Sequence, residues 1–92
     1  MIKFLVHESS DTVGVATEDI KAGETAQGLF MDNQENIEIK ALSDIPLGHK
    51  IALKDLAVGN TVTKYGHDIG KVVAHIKAGD HVHIHNLKTK RW

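Results

Sequence analysis

Three histidines at alternate positions are the most chemically informative feature of this 92-residue sequence. In the run His81-Val82-His83-Ile84-His85, an extended chain places the three imidazoles on one face and the two aliphatic side chains on the other. Imidazoles two residues apart on a strand are roughly 6.5–7 Å apart at the backbone, so two of them can bind one divalent cation. Two of His81, His83 and His85 are therefore candidate ligands for a metal or a carboxylate. A solvent-exposed strand face that is merely rich in histidine is the alternative.

Two shorter segments place a cation and a proton-transfer group beside a glycine: Gly48-His49-Lys50 and Lys64-Tyr65-Gly66-His67. A lysine can hold a carboxylate, and a histidine or tyrosine can move a proton when a 2-hydroxy acid loses a leaving group. The candidate catalytic residues are accordingly His49 and Tyr65, and the candidate substrate-binding residues are Lys50, Lys64 and Asn86. Solvated lysines on turns and a tyrosine at the edge of the core are the alternative.

The two halves of the chain carry opposite charge. Residues 1–48 contain nine acidic side chains and three lysines, and residues 49–92 contain eight basic side chains and three aspartates. Six of the seven histidines also lie in the second half. This half is the one suited to receiving an anion or a metal ion, and mutual neutralisation of the two halves is the alternative explanation.

Composition excludes several classes of function. The chain has no cysteine, so it has no disulfide framework, no thiolate metal cluster and no cysteine nucleophile. Nucleic-acid binding is disfavoured, because the sequence has four aromatic residues and a formal net charge of −1. The apolar runs are too short for a membrane span or a signal peptide, so we expect a cytoplasmic protein that contacts no membrane and forms one domain over residues 1–92.

Apolar residues at alternate positions predict a mostly β fold. The predicted strands are Ile2–Val6, Thr12–Thr17, Ile37–Ala41, Thr61–Tyr65 and Val82–Leu87, and one helical turn is predicted over Ala52–Ala57. Four similar segments, 19–24, 44–49, 55–60 and 75–80, each place an apolar residue three positions before a glycine. Such a glycine supplies a positive φ in a tight turn. The four segments therefore predict corners whose apolar residue packs against the core.

Motifs along nearly the whole chain are similar to those of a known family. The sequence resembles the amino-terminal SAF-type domain of altronate and galactarate dehydratases, a family that also includes the two-subunit (2R)-sulfolactate sulfo-lyase. The resemblance is carried by Ile45-Pro46-Leu47-Gly48-His49-Lys50-Ile51-Ala52-Leu53, Lys64-Tyr65-Gly66, Ile76-Lys77-Ala78-Gly79 and His81-Val82-His83-Ile84-His85-Asn86. It implies a small β-clip (SAF-like) fold of short bent strands.

The resemblance also implies a function. It indicates the small subunit of a lyase that eliminates water or sulfite from a 2-hydroxy acid, such as (2R)-sulfolactate or a sugar acid, with Fe(II) as the divalent metal. A larger catalytic subunit is the implied partner, and we expect the small subunit to be nearly inactive alone. A homo-oligomer is a further expectation, and a non-catalytic module for binding carbohydrate acids or for assembly is the alternative function.

Overall fold

A computed structural model describes residues 1–64, 67–82 and 87–89; for residues 63, 64, 67–69 and 87–89 only the backbone is described. Over these ranges the chain forms nine strands: β1 (Ile2–Val6), β2 (Val13–Ala16), β3 (Thr25–Phe30), β4 (Asn36–Lys40), β5 (Lys50–Ala52), β6 (Thr61–Lys64), β7 (His67–Val72), β8 (His81–Val82) and β9 (Leu87–Thr89). The same ranges contain no helix that could cross a membrane. The prediction of a mostly β fold is confirmed.

Six strands form one sheet, in the order β4-β3-β1-β2-β5-β8, and the other three form a second sheet, in the order β6-β7-β9. Neighbouring strands run antiparallel, except that β1 and β3 are parallel. The short strand β8 pairs with β5 and lies at one edge of the larger sheet. This edge carries the first of the three alternating histidines.

Two glycines make room for the ring of Phe4 at the centre of the larger sheet. Phe4 is fully buried on β1, with Gly14 on β2 and Gly28 on β3 beside it. A Cβ atom at Gly14 would come within 2.8 Å of the ring, and one at Gly28 would overlap it. These positions stay glycine because the strands flanking β1 approach a large aromatic core residue.

The four glycine segments all fold into the same turn, and we name them corner 1 (19–24), corner 2 (44–49), corner 3 (55–60) and corner 4 (75–80). Each glycine has a φ between 84° and 93°. In each corner the amide of the last residue donates to the carbonyl oxygen three residues earlier, as from Glu24 to Lys21 (3.0 Å) and from Asp80 to Lys77 (2.9 Å). A positive φ at the third position identifies type II turns, so the predicted corners are confirmed.

The corners associate in pairs with local twofold symmetry. Ile20 of corner 1 and Ile45 of corner 2 exchange two backbone hydrogen bonds of 2.9 and 2.8 Å. Leu56 of corner 3 and Ile76 of corner 4 do the same, at 2.7 and 2.9 Å. All four side chains are buried, so the apolar residue of each corner packs into the core as the sequence predicts.

Each pair of corners has its own hydrophobic cluster. The first cluster contains Ile20 and Ile45 with residues of β1, β2, β3 and β5, and the second contains Leu56 and Ile76 with residues of β2, β5, β6, β7 and β8. Two neighbouring strands contribute to both clusters: β2 through Ala16 and Val13, and β5 through Ile51 and Ala52. These two strands therefore join the two clusters.

The helical turn predicted over Ala52–Ala57 is wrong. Residues 50–52 are strand β5, and the following segment enters corner 3. Ala52 and Leu56 are both buried, four residues apart, and this spacing suits a helix as well as it suits the entry to a corner. Strand β3 was not predicted either, since its sequence Thr-Ala-Gln-Gly-Leu-Phe lacks strict alternation and contains a glycine.

Candidate functional site

Two histidines that are 32 residues apart in the sequence meet at the edge of the larger sheet. The Nδ1 atom of His49 lies 2.8 Å from the Nε2 atom of His81, and the ring centroids are 5.0 Å apart with an angle of 40° between the planes. Both residues are half-buried. The distance is that of a hydrogen bond, so one proton lies between these two nitrogens.

Strand pairing brings the two rings together. His81 pairs with Ile51 and Val82 pairs with Lys50, which puts His49 close to His81 at the beginning of β5. Partner residues of an antiparallel pair project from the same face, and so do residues two apart on one strand. His49, Ile51 and His81 therefore share one face of the β5–β8 pair.

Two further hydrogen bonds fix the backbone before His81. The amide of His81 donates to Ser43 Oγ at 3.1 Å, and the carbonyl oxygen of Gly79 accepts from the Leu42 amide at 3.0 Å. Corner 4 is thus attached to the segment that enters corner 2. Since His81 directly follows corner 4 and His49 ends corner 2, these bonds set the separation of the two imidazoles.

Corner 2 lacks a hydrogen bond that the other three corners form. In corners 1, 3 and 4 the last side chain accepts from the amide three residues earlier: Glu24 from Lys21 (3.1 Å), Asn60 from Ala57 (2.8 Å) and Asp80 from Lys77 (2.8 Å). In corner 2 that earlier residue is Pro46, which has no amide hydrogen. The last position of corner 2 needs no acceptor, and it holds His49, whose imidazole contacts His81.

The sequence itself contains a signal that the side chain of His49 does not cap its own corner. Aligned on their glycines, the four corners end in Glu, His, Asn and Asp, and only the one ending in histidine has a proline at the donor position. In corner 2 there is no amide hydrogen for the last side chain to accept, so the imidazole of His49 can contact another residue. The partner could not be read from the same pattern, because it depends on the β5–β8 pairing.

The described residues include the first of the three alternating histidines. Val82 is fully buried and His81 is half-buried, as expected for a strand with its aliphatic side chain in the core. The other predicted site residues that follow Val82, namely His83, His85 and Asn86, lie outside the described residues, as does Tyr65. Lys50 is half-buried at the start of β5, next to His49, and only the backbone of Lys64 is described, at the end of β6.

Imidazole nitrogen is a suitable ligand for divalent iron, manganese or zinc. The chemistry of the three alternating histidines therefore fits a metal ion. Within residues 1–64, 67–82 and 87–89 there is no group of three histidine or carboxylate side chains placed to hold one. Of the three alternating histidines, the described residues include His81, whose Nε2 atom contacts His49.

The hydrogen bond between the two rings determines which proton-transfer chemistry is open to His49. If Nδ1 of His49 is the donor, its Nε2 atom carries a lone pair and can act as a base; if Nδ1 is the acceptor, Nε2 carries a proton and can act as an acid. In both arrangements His81 fixes the orientation of the His49 ring. The pair therefore places one oriented imidazole at the edge of the larger sheet.

One ion pair of the described residues lies within the acidic first half of the chain, where it joins Lys3 to Glu24. It lowers the pKa of Glu24, mainly through the hydrogen bond from Lys3, and it raises the pKa of Lys3 for the same reason.

A sheet curled around paired glycine corners, with two imidazoles where corner 2 and corner 4 meet, defines a small β-clip domain of the SAF type. The chain belongs to the family described as the altronate/galactarate dehydratase SAF domain, whose model matches residues 2–90. The resemblance noted from the sequence motifs is thereby confirmed.

Named relatives fall into two groups. The chain is 48% identical over 92 residues to the (2R)-sulfolactate sulfo-lyase subunit alpha of Chromohalobacter salexigens, covering 99% of this chain and 98% of that protein. It is 56% identical over 61 residues to the subunit of the same name from Paracoccus pantotrophus, covering 66% of this chain and 90% of that protein. It is 37% identical over 89 residues to the altronate dehydratase of Bacillus subtilis, covering 97% of this chain but 17% of that enzyme. The relatives are therefore lyases, in which a domain of this kind is a separate subunit or a minor part of a longer chain.

Proposed function

We propose that this chain is the small subunit of a two-subunit lyase that removes sulfite from (2R)-sulfolactate. The observation that carries the proposal is the match to a sulfo-lyase subunit alpha over 98% of that protein's length. The altronate dehydratases also match, but this chain corresponds to 17% of their length. Removal of water from a sugar acid is therefore the second reaction to test.

The geometry of the described residues supports a site that is completed by another polypeptide. The His49–His81 pair is half-buried at the edge of the larger sheet. Sites for small ligands usually enclose most of the ligand surface. A larger catalytic subunit would supply the remaining walls and the remaining chemical groups, which is consistent with the subunit names of the relatives.

The proposed reaction is an elimination. A base takes the proton from the carbon that carries the hydroxyl group, the electron pair forms a carbon–carbon double bond, and the carbon–sulfur bond breaks to release sulfite. The base needs a lone pair on an oriented nitrogen close to that proton. We assign proton transfer to His49, whose ring is oriented by the contact of its Nδ1 atom with Nε2 of His81.

Lys50 is the proposed anchor of the substrate carboxylate, since it is adjacent to His49 and carries a charge that suits an anion. Lys64, Tyr65 and Asn86 keep their predicted roles in substrate binding and proton transfer. Two of His81, His83 and His85 would hold the divalent metal, proposed as Fe(II). When bound, such an ion acts as a Lewis acid that polarises the substrate carboxylate and hydroxyl group.

Reconstitution with the large subunit tests the proposal. The small subunit is co-expressed with the large open reading frame encoded beside it, and sulfite release from (2R)-sulfolactate is measured together with dehydration of altronate and galactarate. We expect sulfite release by the complex and very little by the small subunit alone. If the purified complex cleaves none of these acids, the lyase assignment is wrong.

Substitutions in the reconstituted complex test the residue roles. We expect His49→Ala to lower kcat by 10²-fold or more, as is typical for loss of a proton-transfer group, and Lys50→Ala chiefly to raise KM. Matched controls are His7→Ala and Lys54→Ala, which alter exposed residues of the same types outside the site. Activity unchanged in His49→Ala would remove this histidine from the mechanism and favour a non-catalytic role in binding or assembly.

A further inference from the structure

In the first pair of corners, an aspartate of each corner accepts a hydrogen bond from a backbone amide of the other. In the first pair, Asp44 of corner 2 accepts from the amide of Ala22 in corner 1 at 2.9 Å, and Asp19 of corner 1 accepts from the amide of Leu47 in corner 2 at 2.8 Å. The two bonds are related by the local twofold symmetry of the pair. Each corner therefore gives a carboxylate to its partner and receives one.

The second pair has only one of these two bonds. Asp55 of corner 3 accepts from the amide of Ala78 in corner 4 at 2.8 Å. The symmetry-related aspartate is replaced by His75, and the symmetry-related amide is that of Val58. Over the described residues the structure gives the Val58 amide no acceptor, and Val58 is 64% exposed.

Charge around the two pairs also differs. Residues 16–24 and 41–49, which form the first pair, contain four carboxylates and one lysine. Residues 52–60 and 72–80, which form the second pair, contain two carboxylates and two lysines. Both of these carboxylates already accept amide hydrogens, Asp55 from Ala78 and Asp80 from Lys77. An incoming anion therefore meets less repulsion at the second pair than at the first.

We propose that the Val58 amide and the His75 imidazole form a carboxylate-binding site on the second pair of corners. The first pair shows which ligand fits, because there the equivalent amide binds the Asp44 carboxylate. At the second pair the carboxylate comes from another molecule, and the imidazole of His75 donates a second hydrogen bond to it. Its source is either a free hydroxy acid or an acidic side chain of a partner protein.

Amide chemical shifts of the full-length chain test the site. Sodium acetate is titrated into ¹⁵N-labelled protein at constant ionic strength, with sodium chloride as the reference salt. We expect a saturable downfield shift of the Val58 amide with a midpoint in the millimolar range, and no such shift at Ala22, whose amide is already capped. A Val58 shift that does not saturate, or that chloride reproduces, overturns the proposal.

Two variants separate the site from nonspecific effects. In His75→Asp the new carboxylate should cap Val58 from within the chain, so the Val58 amide should lie downfield before acetate is added and should no longer respond. In His75→Ala the acetate midpoint should rise several-fold, because the amide remains but the imidazole is lost. An unchanged midpoint in both variants contradicts a role for His75.

The source of the carboxylate is identified in the reconstituted complex. If His75→Asp weakens assembly with the large subunit, the ligand is an acidic side chain of that partner. If assembly is unchanged and free lactate or sulfolactate shifts Val58 more than acetate does, the ligand is a small hydroxy acid. The acetate titration needs no enzymatic activity, so its failure is distinguishable from failure of the proposed lyase function.

Discussion

Pro46 lies three residues before His49, in the position where the other corners provide an amide for the last side chain to cap. Proline has no amide hydrogen, so corner 2 keeps its type II turn, with a 2.9 Å bond from the His49 amide to the Pro46 carbonyl, and lacks only the side-chain cap. The imidazole of His49 then bonds to His81, 2.8 Å away. The last position of a corner thus caps its own turn in three of the four corners, and in corner 2 it contributes an imidazole to the candidate site.

The first prediction concerns the strength of the His49–His81 bond. Unfolding of His49→Ala, His81→Ala and the double variant in urea should give a coupling free energy of about 0.5–1.5 kcal/mol, the usual net value of one hydrogen bond. The control cycle combines His49→Ala with His75→Ala and should be additive. Additive effects for His49 and His81 would show that the bond is absent in solution.

A second prediction compares two glycines with the same backbone conformation. Gly23 and Gly79 have φ values of 87° and 92°, but a Cβ atom at Gly23 would lie in open space, whereas one at Gly79 would overlap the carbonyl oxygen of Lys40. Gly23→Ala should cost about 1–2 kcal/mol of stability, from the left-handed conformation alone.

Gly79→Ala should cost at least about 3 kcal/mol, because the backbone clash adds to the same conformational strain. It should also lengthen the hydrogen bond from the Leu42 amide to the Gly79 carbonyl oxygen and so displace His81. This displacement would be seen as shifted imidazole resonances of His49 and His81. Equal thermal stabilities of Gly23→Ala and Gly79→Ala would contradict the close packing of corner 4 against β4.

The third prediction concerns the carboxylate caps. Asp44→Ala leaves the Ala22 amide without its acceptor and should destabilise the fold by about 1 kcal/mol, a typical value for loss of a side-chain cap. His75→Asp adds the missing fourth cap and should stabilise by a similar amount. Chemical denaturation of the two variants measures both effects, and a destabilised His75→Asp protein would show that the two pairs of corners are not equivalent.

The fourth prediction concerns acid stability at Glu24. Hydrogen bonds from Lys3 and from the Lys21 amide lower the pKa of Glu24 below its ordinary value. Because the folded pKa is the lower one, the stabilisation is present above the unfolded pKa and is lost as the pH falls through the folded pKa. In Lys3→Ala the Glu24 pKa should move back towards its ordinary value, as measured by NMR titration of its carboxyl carbon. An unchanged pKa would show that Lys3 does not contact Glu24 in solution.

Local patterns were sufficient for much of the fold. Strand β1 has the predicted bounds, and β2, β4 and β6 differ from the predicted strands by one residue at their described ends. The four corners were also predicted correctly, because each one needs its glycine and the apolar residue three positions before it. The helical turn over Ala52–Ala57 was wrong, since two buried residues four apart do not distinguish a helix from a corner.

The sequence by itself determined the class of the protein, the corners and the identity of the histidines that can do chemistry, because turn type, strand alternation and family motifs are properties of neighbouring residues. Only the tertiary structure decided that His49 meets His81, that Asp19 and Asp44 cap each other's corners, and that Val58 lacks such a cap. The contacts of His49 with His81 and of the two aspartates with their partner corners join residues 22 to 32 positions apart. They depend on the pairing of β5 with β8 and of one corner with another. Pairing of that kind is set by the packing of the whole core and has no local sequence signal.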